Sequence, residues 1–148
     1  MEWENNHSPI VRAQLNYPQL PKEIHSVSFG NPHGICIVED LNKTNVPEWG
    51  KILTKDPMFP NEANISFVQI VDRQNIKLRV YERGVGPTLA CGSAACAAVI
   101  VGQSLNLLDN TVNVSFQVGE LLININPQKN TLSMTGPAKS VYIGRFKI

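Results

Sequence analysis

The sequence predicts an α+β fold in which a strongly curved, barrel-like β-sheet wraps a single apolar helix. Three observations carry that prediction. The chain has 148 residues, about the size of one domain. Short runs of strand-forming residues recur along it, separated by turn signals rich in Gly, Pro, Asn and Asp. One stretch, Gly92 to Val101, has no charge and carries small residues on every side, so as a helix it offers no face suited to water.

Residues 1–23, rich in Asn and Pro and lacking apolar periodicity, read as an irregular lead-in. Regular structure is expected from Ile24, with a strand to Phe29, a turn at Gly30-Asn31-Pro32, and a short apolar strand over Ile35 to Val38. Val46 to Leu53, with Pro47 near its start, reads as a short helix. Asn64 to Val71 and Ile76 to Tyr81 form a predicted hairpin, since Ile76, Leu78 and Val80 alternate with Lys77, Arg79 and Tyr81. Beyond the apolar helix, strands are expected over Thr111 to Val118, Leu121 to Asn126, Thr131 to Met134 and Val141 to Ile143. The alanines of the helix keep it thin as well as helix-prone, and a curved sheet is the economical way to hide all its sides.

Composition narrows the function. A formal net charge of +1 gives no electrostatic footprint for nucleic acid or an anionic membrane. No apolar run approaches the ~20 residues that span a bilayer, and the polar, acidic start Met1-Glu2-Trp3-Glu4 is unlike a signal peptide, so a cytoplasmic location is expected. The three cysteines, Cys36, Cys91 and Cys96, form neither a disulfide framework nor a CxxC pair, and His7, His25 and His33 are scattered, so no metal site is expected. Cys36 lies in an apolar strand and Cys96 five residues along the apolar helix, which reads as core packing.

Cys91 differs because it immediately precedes the helix, after the glycine-containing loop Arg83-Gly84-Val85-Gly86. A helix N-terminus carries unpaired N–H groups and a partial positive charge, which favours a thiolate. The Gly92 and Ser93 amides at that position can hold a carboxylate with little side-chain obstruction. A thiol beside a carboxylate cradle suits proton transfer at the α-carbon of an amino acid, where the amides also stabilise charge as the proton leaves. The plainer reading of Cys91 is a cysteine packed at a helix cap.

Glu82-Arg83-Gly84-Val85-Gly86 followed by Ala90-Cys91-Gly92-Ser93-Ala94-Ala95-Cys96 resembles the second catalytic-cysteine signature of the diaminopimelate epimerases. Phe29-Gly30-Asn31-Pro32-His33, Asn61-Glu62-Ala63-Asn64 and Met134-Thr135-Gly136-Pro137-Ala138 resemble three further elements of that family, in the same order. The resemblance runs from about Ile24 to the end. It implies a mixed sheet curved around a central helix, and a single domain, residues 1–148, corresponding to the C-terminal half of such an enzyme.

The implied activity is isomerase chemistry without pyridoxal phosphate or any other cofactor. One cysteine from each of two domains exchanges the α-proton, interconverting LL- and meso-2,6-diaminoheptanedioate, a precursor of lysine and peptidoglycan. Carried over, Cys91 is the acid/base of this half and the Gly92 and Ser93 amides hold the reacting carboxylate. Asn31, Asn64 and Arg83 would bind the distal end of the substrate, Glu82 would meet an ammonium group, and His33 is a further candidate. Taken alone, Asn31 and Asn64 read as turn caps, and Glu82 with Arg83 as a solvated charge pair.

The family's first cysteine signature has no counterpart here, so the chain is expected to need an N-terminal half as partner and to form a homodimer, with Tyr142 as one contact. Three positions depart from the family pattern: Pro87 stands where glutamate is usual, Ala94 where glycine is, and Gly34 where cysteine is common. The competing expectation is a non-catalytic remnant that serves as an assembly or small-molecule-binding module.

Overall fold

A computed structural model describes residues 2–4, by backbone, and residues 7–147. Its strands are β1 (Glu2–Glu4), β2 (Val11–Gln14), β3 (Glu23–Ser28), β4 (Pro32–Ile37), β5 (Asn64–Asp72), β6 (Asn75–Glu82), β7 (Gly86–Thr88), β8 (Thr111–Phe116), β9 (Gly119–Asn126) and β10 (Thr131–Thr135). The helices are α1 (Val46–Leu53) and α2 (Gly92–Ser104), and a single 3-10 turn covers Leu41–Lys43.

All ten strands belong to one mixed sheet, in the order β1-β10-β9-β8-β6-β5-β4-β3-β2, with β7 paired to β6 beside this path. The pairs β4–β5 and β6–β8 are parallel, and the others are antiparallel. The sheet is open, with β1 and β2 at its two ends, so the barrel-like description claims too much. It is nonetheless strongly bent. The path from Glu4 to Val11 can span at most about 25 Å. The strands between β1 and β2 would set them roughly 38 Å apart if laid flat.

The bend encloses α2. Every residue from Ala94 to Gly102 is buried, and the helix packs against β3, β4, β5, β9 and β10. Alanine on all sides lets strands from both ends of the sheet approach the helix axis. The resulting core joins α2 to Val27, Ile35, Val68, Leu78, Val80, Ile123 and Leu132.

A second core lies on the other face of the sheet, under α1. The Asn45 side chain accepts a hydrogen bond from the Glu48 amide at the helix start, and Pro47 fits the first turn. Val46 and Leu53 pack there with Ile24, Cys36, Ile65 and Phe67. Buried on both faces, β5 sends Ile65 and Phe67 to this core and Val68 to the other.

Gly50 brings α1 close to β6, because a Cβ there would run into the first side-chain atoms of Tyr81. Those atoms sit too near the backbone to swing away. Gly50→Ala should therefore cost about 2 kcal/mol, with overpacking outweighing the better helix propensity of alanine. An unchanged urea midpoint would show that α1 shifts freely on the sheet.

Three places differ from the sequence reading, one being the loop after β6, which contains the short strand β7 paired with β6. Residues 1–23 contain β1 and β2 rather than only an irregular lead-in. Side chains on the edge strand β2 are mostly exposed, so its pairing with β3 requires no apolar alternation. Val141 to Ile143 forms no strand; the three residues are 88%, 85% and 95% exposed. Their composition favours a strand, but no neighbouring strand pairs with them here.

Candidate active site

Strand direction collects the predicted residues at one edge of the sheet. The end of β3, the starts of β4 and β5, the end of β6 and the end of β10 all lie on that edge. Asn31 precedes β4, Asn64 opens β5, and Glu82 closes β6 just before Arg83. The β6–β7 hairpin turns through Gly84 and Gly86, whose positive φ angles of 73° and 105° suit glycine. It then leads into Cys91 and α2.

Cys91 is the N-cap of α2, with extended backbone (φ −150°, ψ 115°), and its carbonyl accepts the Ala95 amide at 3.1 Å. The residue is half-buried, and its side chain makes no capping hydrogen bond. It lies 3.5 Å from the Ser93 hydroxyl, to which Asn31 Nδ2 donates at 3.5 Å. Asn31, Ser93 and Cys91 are thus brought together. The first turn of α2 contains no acidic side chain, so its unpaired amides have no carboxylate of their own helix. The other two cysteines are enclosed: burial raises the Cys36 thiol far above its ordinary value and pushes Cys96 up to about 12.

The remaining residues form two further groups. Asn64 is buried, and its Oδ1 accepts the Arg83 backbone N–H at 2.9 Å. The Arg83 guanidinium donates to the Asn61 carbonyl at 3.1 Å, so it is anchored beside the loop before β5 rather than at Cys91. Glu82 Oε1 accepts from the Thr88 hydroxyl at 2.6 Å across the hairpin. Thr88 was not singled out from sequence. The only clue is its place after the Gly84–Gly86 turn, which puts it diagonal to Glu82 once β7 pairs with β6.

His33 is fully buried, paired in register with Val27 and Asn64, and neither ring nitrogen has a hydrogen-bond partner among the described residues. Burial pushes its pKa down to about 4, so the ring is neutral near pH 7. Because the ring is enclosed, it lies beside Asn64 within the fold rather than on an open binding surface. On the same sheet face, the Ser66 hydroxyl of β5 is also buried without a partner among the described residues.

The three departures from the family pattern have separate settings. Pro87 is exposed on the short strand β7, opposite Tyr81. The Ala94 methyl is packed inside the α2 core. At Gly34 a Cβ would lie 2.7 Å from Ile24 Cδ1 and 2.9 Å from Phe59 Cζ, so those side chains occupy the room a larger residue would need.

Cys91 is partly buried against the α2 core, and the loop before it carries the exposed apolar residues Val85 and Leu89. A hollow of about 340 Å³ is lined by residues including Leu20, Ile37, Lys43 and Trp49. It lies on the α1 side and includes none of the predicted site residues. Among the described residues, no group of three or more His, Cys, Asp or Glu is placed to hold a metal. Among the same residues, no helix is long and apolar enough to cross a membrane.

A family model described as Diaminopimelate epimerase matches residues 25–141. The diaminopimelate epimerase of Nitrosospira multiformis is 44% identical over 141 residues, covering 95% of this chain and 50% of that protein. That of Halothermothrix orenii is 47% identical over 125 residues, covering 84% of this chain and 43% of the relative. The Nitrosomonas europaea protein of the same name is 46% identical over 134 residues, covering 90% and 49%. The chain spans about half the length of the curated relatives it matches.

Among solved structures, a phenazine biosynthesis protein of the PhzF family from Bacillus anthracis is similar with a TM-score of 0.53 at 20% identity. That match covers 86% of this chain and 40% of the other. A PhzF-family protein from Enterococcus faecalis has the same TM-score at 18% identity, over 66% and 35% of the two chains. At these identities the likeness concerns the fold alone.

Proposed function

The chain belongs to the diaminopimelate epimerase family, and on that premise we propose that it supplies the C-terminal half of a cofactor-independent amino-acid epimerase. The observation that carries this reading is Cys91, a partly buried residue at the N-terminus of α2 whose sulfur lies beside Ser93, which in turn meets Asn31. The Gly92 and Ser93 amides hold the α-carboxylate and take up charge as the α-carbon loses its proton. The Cys91 thiolate accepts that proton as the Cα–H bond breaks. In the reverse direction the thiol returns it to the same face.

A second thiol, from the complementary half, serves the opposite face. Glu82, oriented by Thr88, meets a substrate ammonium group, and Asn31 and Asn64 contact the distal end of LL- or meso-2,6-diaminoheptanedioate. To join them, the Arg83 guanidinium exchanges the Asn61 carbonyl for the substrate. The lysine and peptidoglycan precursor role and the cytoplasmic location belong to the same proposal. So does a homodimer, for which the exposed Val141, Tyr142, Ile143 and Phe146 offer apolar contact area.

Alkylation kinetics test the cradle on the chain itself. Iodoacetate carries a carboxylate on the carbon that sulfur attacks, whereas iodoacetamide has no charge there. The iodoacetate-to-iodoacetamide rate ratio at Cys91 should exceed that of glutathione by about tenfold, the worth of one or two charge-assisted hydrogen bonds. A ratio equal to that of glutathione would favour a non-catalytic binding or assembly module. Adding the N-terminal half of a relative in trans should restore LL-to-meso conversion, and light scattering of the same preparation reads the dimer. A folded complex without conversion would remove the enzymatic reading.

A further inference from the structure

The proposed cradle is braced from a direction that its substrate-facing residues do not explain. Asn31, Asn64 and Glu82 all come from the β4–β6 side of the sheet, whereas Gly92 faces β10. Along β10, Leu132 is fully buried against the α2 core, and Met134, two residues later, points to the same face and is partly buried. Met134 pairs in register with Ile123, which belongs to that core. Its thioether lies at the N-terminal end of α2, where a Cβ built on Gly92 would be 3.0 Å from Met134 Sδ and 3.1 Å from Cε. The missing side chain of Gly92 and the end of Met134 therefore share one slot. Cys91 and Phe29 border the same core as partly buried neighbours.

We propose that Met134 is a positioning residue: it fixes the Gly92 peptide against the sheet and thereby aims the amide that receives the substrate carboxylate. This rests on the reading of Gly92 and Ser93 as carboxylate donors. The thioether suits the task because an unbranched, polarisable chain fills a narrow gap beside a backbone. Without that contact, the first turn of α2 is free to settle towards β10. A displacement of about 1 Å at such a donor is enough to spoil a charge-assisted contact.

The test uses the Cys91 iodoacetate-to-iodoacetamide rate ratio on the full chain, a readout that loss of global stability does not move while the protein remains folded. Met134→Ala should lower the ratio about fivefold and Met134→Leu should keep it, because leucine still reaches Gly92. Met134→Val, short but strand-compatible, gives the same reading if the alanine variant fails to fold. The pair should also be coupled: Gly92→Ala lowers the ratio when Met134 is present and lowers it less in a Met134→Ala background. A wild-type preference left intact by Met134→Ala and Met134→Val overturns the positioning role alone. A wild-type ratio equal to that of glutathione overturns the carboxylate cradle and the positioning role with it.

Discussion

Replacing Cys91 by alanine should lower two-face epimerisation by about 10³-fold or more in a complex with a complementary N-terminal half, the usual worth of a positioned acid/base. The loss should divide by stereochemistry. With this thiol gone, α-deuterium exchange should stop for the isomer whose proton faces Cys91 and continue for the isomer served by the other half. Cys96→Ala and Cys36→Ala are the matched controls, since both residues are buried in cores. Measuring deuterium incorporation into each isomer by mass spectrometry gives the answer. Equal residual exchange into both isomers in the Cys91 variant would sink the assignment of one thiol to one face.

Acid should weaken the fold through His33. Its folded-state pKa, lowered to about 4, lies below the ordinary value of 6.5 that the unfolded chain would show. As pH falls below 6.5 the unfolded chain therefore takes up a proton that the folded chain refuses. Stability is full above that point and drains away until about pH 4, where folded His33 also protonates. The gap is worth roughly 3 kcal/mol. His25, also lowered chiefly by burial, adds a loss in the same direction, so the diagnostic quantity is the difference between wild type and His33→Leu. Urea titrations at pH 7 and pH 4.5 should show the wild type losing about 2 to 3 kcal/mol more than the variant. The variant should also start more stable, because leucine removes two buried nitrogens without partners. Parallel stability curves for the two proteins would show that His33 is protonated or hydrated inside the fold.

The central helix and the β5–β6 hairpin were legible because both depend on local pattern. A charge-free, alanine-rich stretch has few alternatives to burial, and alternation across a short turn fixes a hairpin. Strands whose definition depends on a distant neighbour were not legible. β2 is set by its bonds to β3, while Val141 to Ile143 has suitable residues but no ladder. The parallel β4–β5 and β6–β8 pairs join segments separated by a helix, which periodicity alone does not reveal.

The site divides in the same way. The place of Cys91 at the start of α2 was readable from the glycine and serine that follow it and from the onset of the helix. The Glu82–Thr88 and Gly92–Met134 contacts arise only after the hairpin and the far end of the sheet are assembled. His33 carried no sequence sign of enclosure, because a strand covered on both faces has no polar side to mark it.

The pairing of β1 with β10 sets an order of events during synthesis. Most of the chain lies between these two strands, so β1 emerges from the ribosome long before β10 exists to receive it. Until then the apolar face meant for α2 lacks its last wall, and nascent chains have time to find each other instead. A slow ribosomal passage through the segment before Thr131 should therefore favour aggregation over native yield, even though it leaves the finished protein unaltered.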